Sequence, residues 1–347
     1  MKKRSVTLSL VLTLLLSTLL VLSGCGDKGP GGEMTEDQAE LLSLLPDNAA
    51  GIFLVNFKKF TRMKFFDQMI KEAEEKKIDE PGAAFKGYQD FIDKTGIDPK
   101  KDIYSMAFAI YGKIGPMAGE PDVAAVINLN YNKNSIMGLI KENAPEFAED
   151  TYNGVAIFEG KDKKGKDMAF SFIGEKTMAA GTPYLLKQVI DISKTGGQGV
   201  MGNAKMKPYL GELKPGAIMS FVIDFPEEAK KAQEGGMFKM DLSKAEVVLG
   251  YVDYSGSAWD GEIALISHNE EGNKQMVSTL NAFKMMGGAL GPEVEELISN
   301  LDISASADSV KIKLSISDEL LEKLKKKVEE QRKGLMGPRS SGSPFGS

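Results

Sequence analysis

The stretch LLPDNAAGIFLVNFKKF, residues 44–60, decides the fold that this sequence predicts. A proline and a short turn precede an apolar run, and a phenylalanine- and lysine-bearing segment follows it. Such a run, bounded by turn residues, is typical of a buried strand that leads into a helix. The same design recurs at 213–229 as LKPGAIMSFVIDFPEEA. The recurrence predicts an internal duplication.

The segments after the two copies have the same predicted order of elements. The first gives strands at 51–57, 103–111, 122–130, 152–160 and 167–174, and helices at 63–77, 84–95, 134–143 and 183–194. The second gives strands at 217–225, 245–254, 259–267, 301–306 and 309–316, and helices at 226–234, 271–299 (one long helix or a pair) and 318–332. Alternation such as SVKIKLSIS at 309–317 favours antiparallel sheets packed on one face. We therefore expect an α+β fold of two related β-α-β-β-α-β-β-α units, 41–212 and 213–333, with antiparallel sheets covered by helices.

The N-terminus has the pattern of an export signal. Lys2, Lys3 and Arg4 precede an almost wholly apolar run that ends at Leu22, and Ser23 and Gly24 lead to Cys25. The segment Leu22-Ser23-Gly24-Cys25 resembles the lipobox of bacterial lipoproteins. The resemblance implies cleavage between Gly24 and Cys25 and acylation of Cys25, the only cysteine in the chain. An uncleaved signal anchor and a plain secretory signal are the alternatives.

The lipoprotein interpretation divides the remaining chain. Residues 1–24 are the signal peptide, 25–40 a flexible, glycine-rich tether, and 334–347 a disordered tail. We expect the folded part to lie outside the cytoplasm in a bacterial cell envelope, held to the membrane through lipidated Cys25. Gly26 rather than aspartate follows Cys25, which favours the outer membrane if the host has two membranes.

Charge and composition exclude some partners and cofactors. Loss of the signal removes three cations, so the formal net charge moves from −6 to −9. An acidic chain argues against nucleic-acid binding, which needs a basic footprint. With one cysteine, consumed by the lipid, and one histidine, His268, no Cys/His metal site is expected. The sequence predicts no cofactor.

Two further features are candidates for chemistry. GQGVMG at 197–202 matches the dinucleotide-binding glycine pattern, but it follows a predicted helix rather than a strand, so Gly196 or Gly197 is expected to be a helix C-cap. The strand carboxylates Asp224, Asp253, Asp260 and Glu262 leave a two-carboxylate hydrolase as a remote alternative. No catalytic residue is predicted.

Methionine and one loop supply the candidate contact residues. Methionine occurs 18 times, and its flexible side chain fills cores or lines adaptable binding surfaces. The candidates are Met276, Phe283, Met285 and Met286 in the second unit, and Ile114 and Met117 in the loop 111–122. They suggest a non-enzymatic binding or scaffold module for an envelope protein. The alternative is a carrier of a lipid or other apolar ligand in a Met-lined cavity.

A second resemblance covers most of 41–333. LLPDNAAGIFLVNFKKF, DKTGIDPKKDIY at 93–104 and MAAGTPYLLKQVIDISKTGG at 178–197 resemble segments of bacterial envelope proteins, often lipoproteins, grouped as a domain of unknown function. The resemblance rests on apolar and turn residues. It implies an envelope location and brings no catalytic residues.

Overall fold

The structure is a computed structural model in which twelve strands and the helices around them are described. The described residues are 34–75, 87–114, 120–143, 147–162, 165–227, 230, 242–286 and 292–335. The strands are β1 Ala49–Val55, β2 Ile103–Tyr111, β3 Asp122–Leu129, β4 Ala148–Tyr152, β5 Val155–Lys161, β6 Asp167–Phe172, β7 Thr177–Gly181, β8 Met219–Asp224, β9 Val247–Tyr254, β10 Ala258–Ile266, β11 Asp302–Ala305 and β12 Ser309–Ser317.

Helices connect these strands and flank them. The helices are α1 Glu36–Leu44, α2 Phe57–Phe60, α3 Lys64–Glu75, α4 Tyr88–Thr95, α5 Pro99–Asp102, α6 Lys133–Asn143, α7 Pro183–Thr195, α8 Lys207–Leu210, α9 Glu270–Met286, α10 Pro292–Ser299 and α11 Asp318–Leu335, with a 3-10 helix at Gly199–Gly202. The α+β class predicted from the sequence is confirmed. None of these helices, within the described ranges, is long and apolar enough to cross a membrane.

Antiparallel pairing links both predicted units in one sheet. Nine strands lie in the order β4-β5-β6-β7-β3-β2-β1-β8-β9, and β10, β12 and β11 form a three-stranded sheet. Strand β1 pairs with β2 on one side and with β8 on the other, with Phe53 opposite both Phe108 and Phe221. Strands from the two predicted units are therefore neighbours, and the sheets do not separate at residue 213. The division of the chain at that residue stays a prediction.

One face of the large sheet carries the main core. Alternate residues of β1 and β2, among them Ile52 and Ala107, are fully buried there beneath helices α1 and α7. The small alanines of β2 and β3 leave room for the leucines of these helices, and Leu42 and Leu186 are also fully buried. The period of two along the strands is what places these side chains on a single face.

Helix α1 extends into the segment predicted as tether. Thr35 caps the helix: its side chain accepts from the Gln38 backbone N–H, and the Gln38 side chain accepts from the Thr35 N–H, which forms a capping box. Gln38 is buried and its Nε2 donates to the carbonyl of Pro215 at 3.0 Å. Residues 36–40 are thus part of the folded body. The predicted tether boundary at residue 40 is wrong for them, because capping outweighs the polar composition. Residues 25–33 lie outside the described part.

The glycine-rich segment at 197–202 packs against the end of α1. Gly196 is the C-cap of α7, with φ +70° and its N–H bonded to the carbonyl of Ile192, as predicted. Gly199 has φ +49°, and a Cβ there would lie 2.2 Å from the carbonyl oxygen of Ser43. The Val200 N–H donates to the Leu45 carbonyl at 2.8 Å. These glycines allow close backbone contact between two segments.

Two strands of the structure, β4 and β7, are not predicted from the sequence. Strand β4 is AEDTY, mostly exposed, and β7 is TMAAG, five residues of mostly small side chains. Neither has the apolar alternation that marks a half-buried strand, since β4 lies at a sheet edge and β7 packs small side chains between β3 and β6. The segment 271–299, predicted as one long helix or a pair, contains two helices, α9 and α10. Most of the helix predicted at 226–234 lies outside the described residues.

Candidate ligand-binding cavity

An apolar cavity of about 360 Å³ lies at one end of the large sheet. Val55, Met106 and Met219 contribute to its wall. Each of them alternates along its strand with a residue that is buried on the α1–α7 face, so their side chains point to the opposite face. Val252 of β9 and Trp259 of β10, both buried, continue this strand wall. The cavity is therefore separate from the main core.

Aromatic residues from two helices form the facing wall. Phe57 and Phe60 come from α2 and Phe65 from α3, and all three line the cavity. The Phe65 ring meets the Trp259 indole edge to face, with centroids 5.3 Å apart and an interplanar angle of 90°. Such pairs add stabilisation beyond the apolar area that they bury. Trp259 also contacts Tyr254, at 5.2 Å between centroids.

Side-chain hydrogen bonds fix both ends of α2. The Asn56 side chain caps α2 by accepting from the Lys59 N–H at 2.9 Å. Thr61 is buried, and its hydroxyl donates to the Phe57 carbonyl at 2.9 Å at the end of the helix. Met63 then packs into the same cluster as Val252 and Trp259. Helices α2 and α3 are thereby held against the ends of the strands.

Helix α11 completes the wall and brings a cation. Leu321 and Lys325, one turn apart, line the cavity. The Lys325 ammonium lies 5.4 Å from the centroid of the Phe65 ring and donates to Glu322 Oε1 at 2.7 Å. The side chain of Glu322 is more than half exposed, so the Lys325–Glu322 pair is a solvated one. Lys325 is the charged residue among the described residues that line the cavity.

The segment 57–66, FKKFTRMKFF, is basic as well as aromatic. It contains four cations and no carboxylate. Lys59 pairs with Asp253, and Lys58 lies 5.6 Å from the centroid of the Tyr104 ring. Arg62 and Lys64 are exposed and form no ion pair with the described part of the chain. A segment that supplies part of the apolar wall therefore also supplies positive charge.

The predicted contact residues lie elsewhere. Met276 is a buried residue of α9, Phe283 is half-buried, and Met285 is 89% exposed. Ile114 is half-buried, 3.5 Å from the position that a Cβ on Gly51 would occupy. None of these four lines the cavity, so the structure does not bring them together there.

The remaining predicted site residues lie outside what the structure describes. Met117 and the lipobox residues Gly24 and Cys25 are outside the described residues, as is the side chain of Met286. Their assigned roles stay predictions.

The strand carboxylates are mostly held by lysines. Asp224 pairs with Lys205, Asp253 with Lys59, and Glu262 lies 3.5 and 3.6 Å from two lysines of β12. Asp260 differs: burial raises its pKa to about 6. Asp224, Asp253 and Glu262 therefore have a structural role, as partners of lysines in ion pairs.

His268 ends a strand region at the surface, as predicted. Its Nδ1 lies 3.0 Å from Asp308 Oδ1, and this hydrogen bond raises its pKa. The side chain is about half exposed. Within the described ranges, no group of three or more His, Cys, Asp or Glu side chains is placed to hold a metal ion.

Sequence reasoning missed the cavity residues although two signals marked them. Trp259 is the only tryptophan of the chain, and Phe57, Phe60 and Phe65 recur within nine residues among lysines. Both features were available before the fold was known. The remaining wall comes from β1, β2, β8, β9 and α11, which only the tertiary structure brings together.

Comparison with known proteins gives distant matches to solved structures. No protein-family model matches the chain, and no curated protein does. Crystal form III of TP0453 is 10% identical in sequence, with a TM-score of 0.46 over 81% of this chain and 95% of that chain. Crystal form I of TP0453 is also 10% identical, with a TM-score of 0.44 over 81% of this chain and 94% of that chain.

Proposed function

We propose that this chain is a lipid-anchored protein of the bacterial cell envelope whose folded part binds an apolar ligand. The observation that carries the binding function is the apolar cavity of about 360 Å³. This volume is in the range of small-molecule sites, which are concave and lined mainly by apolar and aromatic side chains. Binding, rather than a chemical step, is the activity proposed.

The lipid anchor is supported by the lipobox resemblance at Leu22–Cys25. Acyl chains on Cys25 would hold the folded part at a membrane surface, where apolar molecules are available. Replacement of Cys25 by alanine tests the anchor. We expect the variant to lose lipid-dependent membrane attachment in fractionated cells and to keep its fold by circular dichroism. Membrane retention of a signal-processed Cys25→Ala protein would contradict the anchor.

Trp259 provides a direct test of ligand binding. It is the only tryptophan and it lines the cavity, with 6% of its surface exposed. A brominated alkanol that enters the cavity should quench its fluorescence, since bromine quenches indole on contact. The measurement is a titration of the mature protein in nanodiscs. An unquenched signal at saturating alkanol would count against the proposed function.

A cavity-filling substitution distinguishes entry from surface quenching. Val55→Phe places a ring in the space that the ligand would occupy, so it should weaken quenching about tenfold or more. Val123→Phe is the matched control, because Val123 is also a half-buried strand valine but does not line the cavity. Equal quenching in both variants would place the alkanol elsewhere.

A polypeptide partner in the envelope is the second candidate. The observation that favours it is Met285, whose side chain is 89% exposed near the end of α9. A photo-crosslinking amino acid at position 285, used in the producing cells, should capture one partner reproducibly. The same crosslinker at the exposed Lys176 position is the control.

A further inference from the structure

We propose that the cavity ligand is a single-chain amphiphile with a carboxylate head, whose alkyl chain enters the cavity and whose head group binds Lys325. This inference rests on the proposed apolar-ligand function and specifies its ligand. It is carried by two observations: the size of the cavity, and the sign of the charge beside it.

The size of the cavity favours a ligand with one chain. A cavity of about 360 Å³ is near the lower end of the range of about 300–1,000 Å³ that small-molecule sites span. The two chains of a diacyl phospholipid would need more space than one such cavity provides. A single alkyl chain can make apolar contacts with Val55, Met219, Val252 and the aromatic wall.

Charge favours an anionic head. Lys325 lies within the cavity wall, and its partner Glu322 is exposed. A ligand carboxylate can replace Glu322 at the ammonium at low cost, because a solvated pair contributes little stability. Arg62 and Lys64, in the segment that supplies three of the lining phenylalanines, add positive charge without an ion-pair partner in the described chain. The chain as a whole carries a net charge of −6, so this basic region is a local feature.

The ammonium of Lys325 is also suited to binding a single carboxylate. A lysine ammonium is a compact point charge that forms up to three hydrogen bonds and does not require a bidentate partner. The Lys325 ammonium lies over the Phe65 ring, 5.4 Å from the ring centroid. An alkyl chain placed beside Phe65 would therefore bring its terminal carboxylate near this ammonium.

The test compares two probes of equal chain length, a brominated fatty acid and the corresponding brominated alkanol. Both are titrated against Trp259 fluorescence, with the full mature protein in nanodiscs of zwitterionic lipid. Lys325→Gln should weaken binding of the acid about tenfold and leave binding of the alkanol unchanged. Lys325→Arg should restore binding of the acid. The control is Lys323→Gln, which removes a lysine of the same helix that also has a glutamate partner but does not line the cavity.

The outcomes separate this inference from the proposed function. If both probes quench Trp259 and Lys325→Gln changes neither affinity, the carboxylate inference is overturned while apolar binding stands. If neither probe quenches, the proposed function fails as well. Loss of alkanol binding in Lys325→Gln would show that the lysine supports the wall rather than the head group, and this result too would overturn the inference.

Discussion

At the scale of single residues, burial changes the chemistry of one strand carboxylate, Asp260. Its Oδ2 is buried and accepts no hydrogen bond from the described part of the chain. Burial raises its pKa to about 6, because the charged form loses solvation. Its neighbour Trp259 points into the cavity, so the backbone alternation of β10 forces Asp260 to the opposite face.

Asp260 should make the protein more stable as the pH falls from 7 towards 4. The folded-state pKa of about 6 is above the unfolded value of about 3.9, so the folded protein binds the proton more tightly. The resulting stabilisation is fully present below the unfolded pKa and is lost as the pH rises through 6. Asp260→Asn should raise the free energy of unfolding at pH 7 by about 1 kcal/mol, a figure reduced for partial solvent exposure.

Urea unfolding at pH 5 and pH 7 measures this effect. The gain from Asp260→Asn should be smaller at pH 5, where the wild-type carboxyl is already mostly protonated. Asp302→Asn, an exposed strand residue, is the control and should show no such difference. An equal gain from Asp260→Asn at both pH values would contradict the role of burial.

At the scale of elements, a hydrogen bond between two side chains joins helix α11 to strand β9. The Tyr254 hydroxyl donates to Asp318 Oδ2 at 2.7 Å, at the first turn of the helix. Burial and this bond to a carboxylate raise the Tyr254 pKa to about 12. Leu321 and Lys325 of the same helix form part of the cavity wall. The position of that wall therefore depends on how the helix begins.

Tyr254→Phe should lower the free energy of unfolding by about 1–2 kcal/mol, since a bond to a charged acceptor is lost. It should also weaken quenching of Trp259 by the alkanol, because α11 is held less firmly. Tyr184→Phe is the control: its hydroxyl donates to Asp122 at 3.2 Å, but in an exposed position. Stability is measured by chemical denaturation. If Tyr184→Phe lowers the free energy of unfolding as much as Tyr254→Phe does, the position of the Tyr254 bond between α11 and the sheet does not account for its contribution to stability.

Gly199→Ala tests the close contact between the 3-10 helix and the end of α1. A Cβ 2.2 Å from the Ser43 carbonyl, on a residue with φ +49°, should lower the free energy of unfolding by about 1–3 kcal/mol. Gly202→Ala, in the same short helix, meets its nearest atom at 3.5 Å and should change the stability by less than about 0.5 kcal/mol. If the two variants change the free energy of unfolding by similar amounts, the 3-10 helix can move away from the end of α1 without loss of stability, and the prediction is contradicted.

The elements most visible in the sequence are those with a clear period. The alternation of Val310 and Ile316 with polar residues predicts β12, and both side chains are buried. Strand β4 has no such period because it is an exposed edge. The cavity could not be predicted from any one element, since Val55, Val252 and Leu321 meet only when β1, β9 and α11 are assembled. The methionine content of the sequence predicts an apolar binding site, but it does not predict which residues line that site.

At the scale of the whole molecule, the pairing of β1 with β8 joins the two predicted units. Five registered residue pairs, from Gly51–Ile223 to Val55–Met219, connect them. The buried bond from Gln38 to the Pro215 carbonyl adds a second link between N-terminal and C-terminal segments. Because β1 and β8 are hydrogen-bonded neighbours in one sheet, unfolding of either strand removes hydrogen bonds and packing from the other. We therefore expect the described body to unfold as one cooperative unit despite its size.

Ile52→Ala tests this cooperation between β1 and β8. Ile52 is fully buried on β1, so its truncation should lower the free energy of unfolding by about 2–5 kcal/mol. Trp259, on β10 of the second predicted unit, reports on its surroundings, which include Phe65 of the first unit, whereas far-ultraviolet circular dichroism reports on the whole chain. In urea, both signals should shift to the same lower midpoint, because β1 and β8 unfold together. If the circular dichroism transition splits and the Trp259 midpoint stays at its wild-type value, the two predicted units are independent and the β1–β8 pairing does not couple them.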